Sequence, residues 1–356
     1  MVPEARAART LADAWDSGRN HFNGIRLIAA WMVIYGHAWA ITGAPGGDLF
    51  AQSTAFKFAG GIAVDMFFVI SGFLIAASLQ RNSVRGYLAS RALRILPALV
   101  VCVVVSVLVL GPLLTTAPDY WRQSVTWRYL WSNATLYRAE YFLPGVFETL
   151  PNHAINGSLW TLPIEASLYV LLLVAGLLGA IDARRYFVPW VLALLGAGAL
   201  VLWRGPLPDW MANELWCTCC FITGTAAWLY RDRIRLSWMV VVALLALAVF
   251  TRGTPWFGLP YFALVSYGTL WLAFVRQGPR IAHHDLSYGL YLYGWPAAQL
   301  VQSVAPGTPL HNVAWATPLA FACAALSWFL IERPALRWKK RFGTRTPVAS
   351  PLQAAA

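Results

Sequence analysis

Charge is what this sequence has least of: only 12% of its 356 residues are charged, only 15 are acidic, and the mean hydropathy is +0.56. Soluble domains carry about twice that share of charge, so a water-soluble globular fold is excluded and an integral membrane protein is implied. Cysteine is sparse too. Cys102, Cys217, Cys219, Cys220 and Cys323 all fall inside apolar runs, which argues for small buried hydrophobes rather than a disulfide framework. The Cys217-Thr-Cys219-Cys220 cluster has no His, Asp or second cysteine pair at ligand spacing, so no metal site is expected. Lysine and arginine outnumber the acids by 27 to 15. They are strung between apolar runs instead of forming the clustered basic face that nucleic acid requires, so no nucleic-acid partner is expected. No internal repeat or low-complexity tract is evident.

What is present is a succession of apolar runs, at residues 24–42, 57–79, 95–114, 159–180, 186–203, 212–230, 236–250, 257–275, 285–304 and 313–331. Most approach the roughly 20 residues that a bilayer-spanning helix needs, and 236–250 is the shortest. The expectation is an all-α integral membrane protein with about ten transmembrane helices. Ala38-Trp-Ala40 loosely fits a signal-peptidase site, but the first run is closer to a full span than to a signal segment. Alternate connections hold 21 of the 27 lysines and arginines. Since cytoplasmic loops carry the excess, both termini are expected to be cytoplasmic. Residues 1–22 then form a cytoplasmic tail without a core, 23–334 a single membrane domain and 335–356 a second cytoplasmic tail. The one long connection, 115–158, is outer and rich in Trp and Tyr. It reads either as an interfacial segment in the aromatic belt or as a lid that stacks on an acceptor.

The first run carries one arginine and one histidine. Eleven steps of about 100° come within roughly 20° of three full turns, so Arg26 and His37 share a helix face about 16 Å apart along the axis. An ionisable group well inside a bilayer is costly unless it is used or paired, which makes His37 a functional candidate. Asp65 and Glu165 lie a few residues into the second and fourth runs, both entering from the outer side, so His37, Asp65 and Glu165 are expected at one depth in the outer third. A neutral histidine beside a carboxylate makes a general base; an acyl-histidine is equally open to an imidazole. Asp65 either orients His37 or pairs with a neighbouring helix. Ser71 lacks a Gly-x-Ser-x-Gly elbow and reads, with Gly72, as small-residue helix packing. Arg26, Arg91 and Arg94 lie at cytoplasmic helix ends, where positive-inside bias and snorkelling compete with phosphate recognition by guanidinium forks.

Several segments together resemble the membrane-bound acyltransferase 3 family. They are Arg26 and His37 with ten residues between them, Val64-Asp65-Met-Phe-Phe-Val-Ile-Ser71-Gly72-Phe73-Leu74, Arg91-Ala-Leu-Arg94-Ile-Leu-Pro97 and Gly157-Ser158-Leu-Trp160-Thr-Leu-Pro-Ile-Glu165-Ala-Ser-Leu-Tyr169. Ser287-Tyr288-Gly-Leu-Tyr291-Leu292 and Ile331-Glu332-Arg333-Pro334 complete the set. They follow the family's order from residue 23 to about 334.

The resemblance implies an O-acyltransferase of the bacterial inner membrane. Its donor would be acyl-CoA, usually acetyl-CoA, used as substrate with no bound cofactor. Its acceptor would be a hydroxyl of a cell-surface or exported glycan, or a lipid-linked saccharide. In those terms His37, Asp65 and Glu165 are the catalytic candidates, and Arg26, Arg91 and Arg94 would hold the phosphates while the pantetheine arm reaches toward His37. A macrolide-like small-molecule acceptor is an alternative. A secondary transporter is another, but it should show paired broken helices or an inverted repeat. One departure stands out: many family members have a histidine where this chain has Gly294, in Tyr291-Leu-Tyr-Gly294-Trp295-Pro296.

Overall fold

A computed structural model describes residues 9–181, 184–203, 207–275 and 284–342. Arg6, Arg204, Arg276, Arg280 and Arg345, which are counted in the charge argument above, lie outside the described residues, as does His283. The described residues are mainly helical and contain no strand; an isolated bridge joins Thr10 and Arg235. Besides a short helix at Leu49–Thr54, the helices in chain order are α1 (Leu11–Asp16), α2 (Phe22–Thr42), α3 (Ala59–Arg81), α4 (Val84–Leu114), α5 (Ser124–Ala134) and α6 (Thr161–Leu177). They continue with α7 (Arg184–Trp203), α8 (Asp209–Leu229), α9 (Trp238–Phe250), α10 (Gly258–Ala273), α11 (Ser287–Val304) and α12 (Pro309–Arg337). Every apolar run of the sequence falls on one of them.

Five helical segments, α2, α3, α4, α6 with its preceding turn, and α12, are long and apolar enough to cross a membrane. Of the others, α9 and α10 have 13 and 16 residues, α8 carries Asp209 and Glu214, and α11 buries Ser287, Gln299 and Gln302.

The tightest pairing is α3 against α8. A Cβ at Gly72 would run into the backbone carbonyl of Phe221, and one at Gly224 into that of Val69, so glycine at both positions lets the two backbones meet. That bears out Gly72 as a packing residue. On the other side α11 lies between α2 and α12, and Gly294 abuts Ile34 of α2.

Two expectations are corrected here. Residues 10–16 are no free tail: Thr10 and Asp13 form a reciprocal capping box, and Leu11 and Ala14 are fully buried. The backbone of Leu11 donates to Ile234 at 2.8 Å and that of Ala12 to Arg231 at 2.9 Å. A charged composition hid a capped helix with an apolar side. The 115–158 segment is also more than a surface strip. Trp295 Nε1 of α11 donates to the Ala154 carbonyl at 2.9 Å, Gln299 Nε2 to the same oxygen at 2.7 Å, and Asn156 Nδ2 donates to Leu292 at 2.9 Å. Its end is therefore stitched into the bundle, while Trp127, Trp131, Tyr137 and Phe142 remain exposed.

Candidate active site

Helix α2 positions Arg26 near its start and His37 three turns further on, as the periodicity predicts. At the arginine-rich end, Arg26 Nη1 lies 2.9 Å from Asp285 and Arg94 Nη2 lies 2.6 Å from the same carboxylate oxygen, Oδ2. The other oxygen of Asp285 accepts from the Ser287 hydroxyl at 2.5 Å and the Ser287 backbone N–H at 3.2 Å. Arg94 Nη1 also approaches Glu332 at 3.5 Å. A π-helical turn over Trp328–Glu332 presents that glutamate. Burial by itself would raise the Asp285 carboxyl, but the Arg26 and Arg94 guanidiniums and the Ser287 bonds outweigh it and hold the group well below the usual carboxylate range. Arg91 does not join this network. Its guanidinium lies 5.9 Å from the centre of the Tyr169 ring and its Nε donates to Ser90 at 3.2 Å.

Above the ion network lies a small pocket of about 40 Å³ between α2, α3, α6 and α11, whose lining includes Arg26, Ser71, Glu165, Ser287, Tyr288 and Tyr291. Glu165 accepts from the Ser71 hydroxyl at 2.8 Å and from the Tyr169 hydroxyl. Ser71 thus has a polar partner that the small-residue reading did not anticipate. It sits six residues beyond Asp65, about 9 Å along the helix axis. Glu165 is therefore level with the middle of α3, deeper than Asp65. The expectation of three ionisable groups at one depth is corrected accordingly.

Asp65 has partners of its own. Lys57 Nζ approaches its two oxygens at 2.7 and 2.8 Å, and the Tyr261 hydroxyl of α10 donates to Oδ2 at 2.8 Å. The side chain is 1% exposed, and Lys57 Nζ lies 4.7 Å from the centre of the Trp216 ring. Of the two roles open to Asp65, the geometry is that of pairing with a neighbouring helix. It does not hydrogen-bond His37.

His37 is held by rings. Phe58 lies 5.1 Å and Trp295 4.6 Å from the imidazole, centre to centre, and Trp295 is itself pinned by its bond to Ala154. Among the described residues, no hydrogen bond or ion pair engages the imidazole. A carboxylate that fixes its tautomer, expected from the sequence, is not found among them; aromatic walls orient the ring and leave its nitrogens free. His153 and His284 are exposed.

Lys57, Asp285 and Glu332 were not singled out as functional residues. A signal existed for the first: Lys57 is the only lysine before residue 339, and it lies eight positions ahead of a buried aspartate. Asp285 had the weaker signal of an acid two residues before a helix-starting serine.

A model of the acyltransferase domain of the acyltransferase 3 family matches residues 19–332 of this chain. An O-acetyl transferase of Shigella phage Sf6 is 28% identical over 347 residues, which cover 92% of this chain and 97% of the relative. Nodulation protein 10 of Rhizobium leguminosarum bv. viciae is 28% identical over 357 residues, covering 90% and 94%. No solved structure matches.

Proposed function

This chain belongs to the acyltransferase 3 family, and we propose that it moves an acetyl group from cytoplasmic acyl-CoA to a hydroxyl of a cell-surface or exported glycan. The observation that carries the reading is α2 itself. One face bears Arg26 in the ion network and, about 16 Å further along, an imidazole that no described residue hydrogen-bonds. The name of the Shigella phage relative supports acetyl as the group transferred to oxygen.

In this reading Arg26, Arg91 and Arg94 grip the donor phosphates, since guanidinium forks suit phosphate oxygens. Glu165, fixed by Ser71 and Tyr169, lines the pocket beside Arg26 and accepts from amide N–H groups of the pantetheine arm. His37 takes the proton of the acceptor hydroxyl as its oxygen attacks the thioester carbonyl. The C–O bond forms, the tetrahedral intermediate collapses with cleavage of the C–S bond, and the imidazolium returns its proton to the departing CoA thiolate. A positioned base contributes roughly 10² to 10⁴-fold. Asp65 stabilises the bundle through Lys57 and Tyr261. The protein crosses the inner membrane ten times with both termini cytoplasmic, a topology supported by the 21 of 27 basic residues on alternate connections.

The test is purified protein in detergent with labelled acetyl-CoA and de-O-acetylated surface polysaccharide. Alkali-labile label on the saccharide, lost in His37→Gln, supports the reading. No ester in detergent, together with solute accumulation in sealed vesicles, would point to a transporter instead.

A further inference from the structure

At the end of the bundle opposite the arginine network lies a second and larger concavity, of about 970 Å³, between the 137–141 loop, the start of α6 and the start of α8. Its lining includes Tyr137, Arg138, Trp160, Trp210, Asn213 and Glu214. From its walls, we infer that this groove is the subsite that holds the saccharide acceptor, an inference that rests on the glycan reading above.

Three observations carry it. The first is composition. Tyr137 is 83% and Trp210 64% exposed, so these rings do little packing inside the protein. Around them stand Arg138, Asn213 and Glu214, which are also exposed. Rings that only anchor a protein in the headgroup belt need no polar companions on a concave wall. A saccharide needs both: flat apolar faces for its C–H surfaces, and donors and acceptors at the edges for its hydroxyls. The second is size: at about 970 Å³ the groove stands at the top of the roughly 300–1,000 Å³ range of small-molecule sites, enough for a saccharide. The third is position. Trp160, Pro163, Ile164 and Ser167 line the groove, whereas Thr161, Leu162 and Glu165 line the pocket beside Arg26. The two thus open on opposite faces of the first turns of α6, one helix width of about 10 Å apart, and an acceptor in the groove lies across that helix from the proposed donor path.

The experiment measures initial rates of purified protein in detergent with labelled acetyl-CoA and, as probe, the source organism's cell-surface polysaccharide after mild alkaline de-O-acetylation. Trp210→Ala and Glu214→Gln are compared with the parent, and Trp210→Phe serves as the conservative control. Thermal melts of all variants check that they fold. The expected result for Trp210→Ala is a polysaccharide KM raised about tenfold or more, with the acetyl-CoA KM at the parental value and the Phe variant largely restored. A folded Trp210→Ala whose polysaccharide KM stays parental overturns the groove while leaving the glycan reading intact. A parental enzyme that esterifies no saccharide but does esterify a macrolide overturns that reading, and the groove assignment with it.

Discussion

Replacing Lys57 by methionine separates a structural Asp65 from a catalytic one. The ammonium lies 2.7 and 2.8 Å from both oxygens of a carboxylate that is 1% exposed. Removing one partner of a buried pair costs about 3–5 kcal/mol because the other charge is stranded. The Tyr261 hydroxyl remains on Asp65, and the Lys57 side chain is 18% exposed, so the lower end applies. About 3 kcal/mol corresponds to roughly a 150-fold shift in the unfolding equilibrium. Removing the whole polar set, as Lys57→Met with Asp65→Leu and Tyr261→Phe, strands nothing; exchanging a buried ion pair for apolar residues is neutral or stabilising by about 1–4 kcal/mol. The assay is unfolding in mixed micelles of all variants, paired with acetyl transfer measured well below the transition. The expected pattern is a destabilised single variant and a triple variant that is both stable and active. A stable triple variant without transfer would refute the structural assignment and return Asp65 to the chemistry. A Lys57→Met protein as stable as its parent would refute the energetic argument.

Other consequences are read the same way. His37→Gln should cost roughly 10² to 10⁴-fold in transfer with an unchanged melting temperature, because no described residue hydrogen-bonds the ring; an equal loss of stability would make His37 a packing residue. Arg26→Ala should raise the acetyl-CoA KM and leave the acceptor KM alone, and an unchanged donor KM would refute phosphate binding there. The lowered Asp285 carboxyl makes a pH prediction with a definite sign. A group depressed in the folded state contributes fully above its unfolded value of about 3.9 and is lost only as the pH falls through the lower folded value. This carboxylate therefore adds no pH dependence of stability between pH 5 and 8. Asp285→Asn lowers stability uniformly over that range, and the difference from the parent narrows below about pH 4. A difference that grows on acidification there would contradict the assignment.

The parts of this molecule that were legible in the sequence are the local ones. Helical periodicity put Arg26 and His37 on one face, and the apolar runs marked most of the long helices to within a few residues, although α4 begins eleven residues before its run. The pairings were not legible, because packing sets them across long separations. Ser71 meets Glu165 over 94 positions, Arg94 meets Asp285 over 191 and Arg26 meets Asp285 over 259. Depth along a span was misread for a related reason. Counting from the nearest helix end assumes that α3 and α6 begin at the same level, yet the hydroxyl that Glu165 meets belongs to the middle of α3. The N-terminal segment was misread on composition, although Thr10 and Asp13 had the spacing of a capping box.

Gly294, where the family resemblance puts a histidine, gives the sharpest test of how α2 and α11 fit. A Cβ on this glycine would lie 2.6 Å from Cγ1 and 3.1 Å from Cδ1 of Ile34. Both atoms belong to a buried side chain three residues before His37, and Trp295 beside Gly294 packs on the His37 ring. Gly294→His therefore overpacks the interface, at about 1–3 kcal/mol, and displaces Trp295, so both stability and transfer fall. Trimming Ile34 to alanine in the same protein opens the volume that the imidazole needs. The double variant should recover most of the lost stability, and transfer with it, because the proposed mechanism runs on His37 alone. Unfolding in mixed micelles and initial transfer rates, measured on the two single variants and the double, decide the matter. If Gly294→His is as stable as the parent, the α2–α11 contact is looser than the geometry requires. If the double variant is stable but its rate departs from the parent by more than tenfold, a second imidazole takes part in the reaction and the single-histidine reading fails.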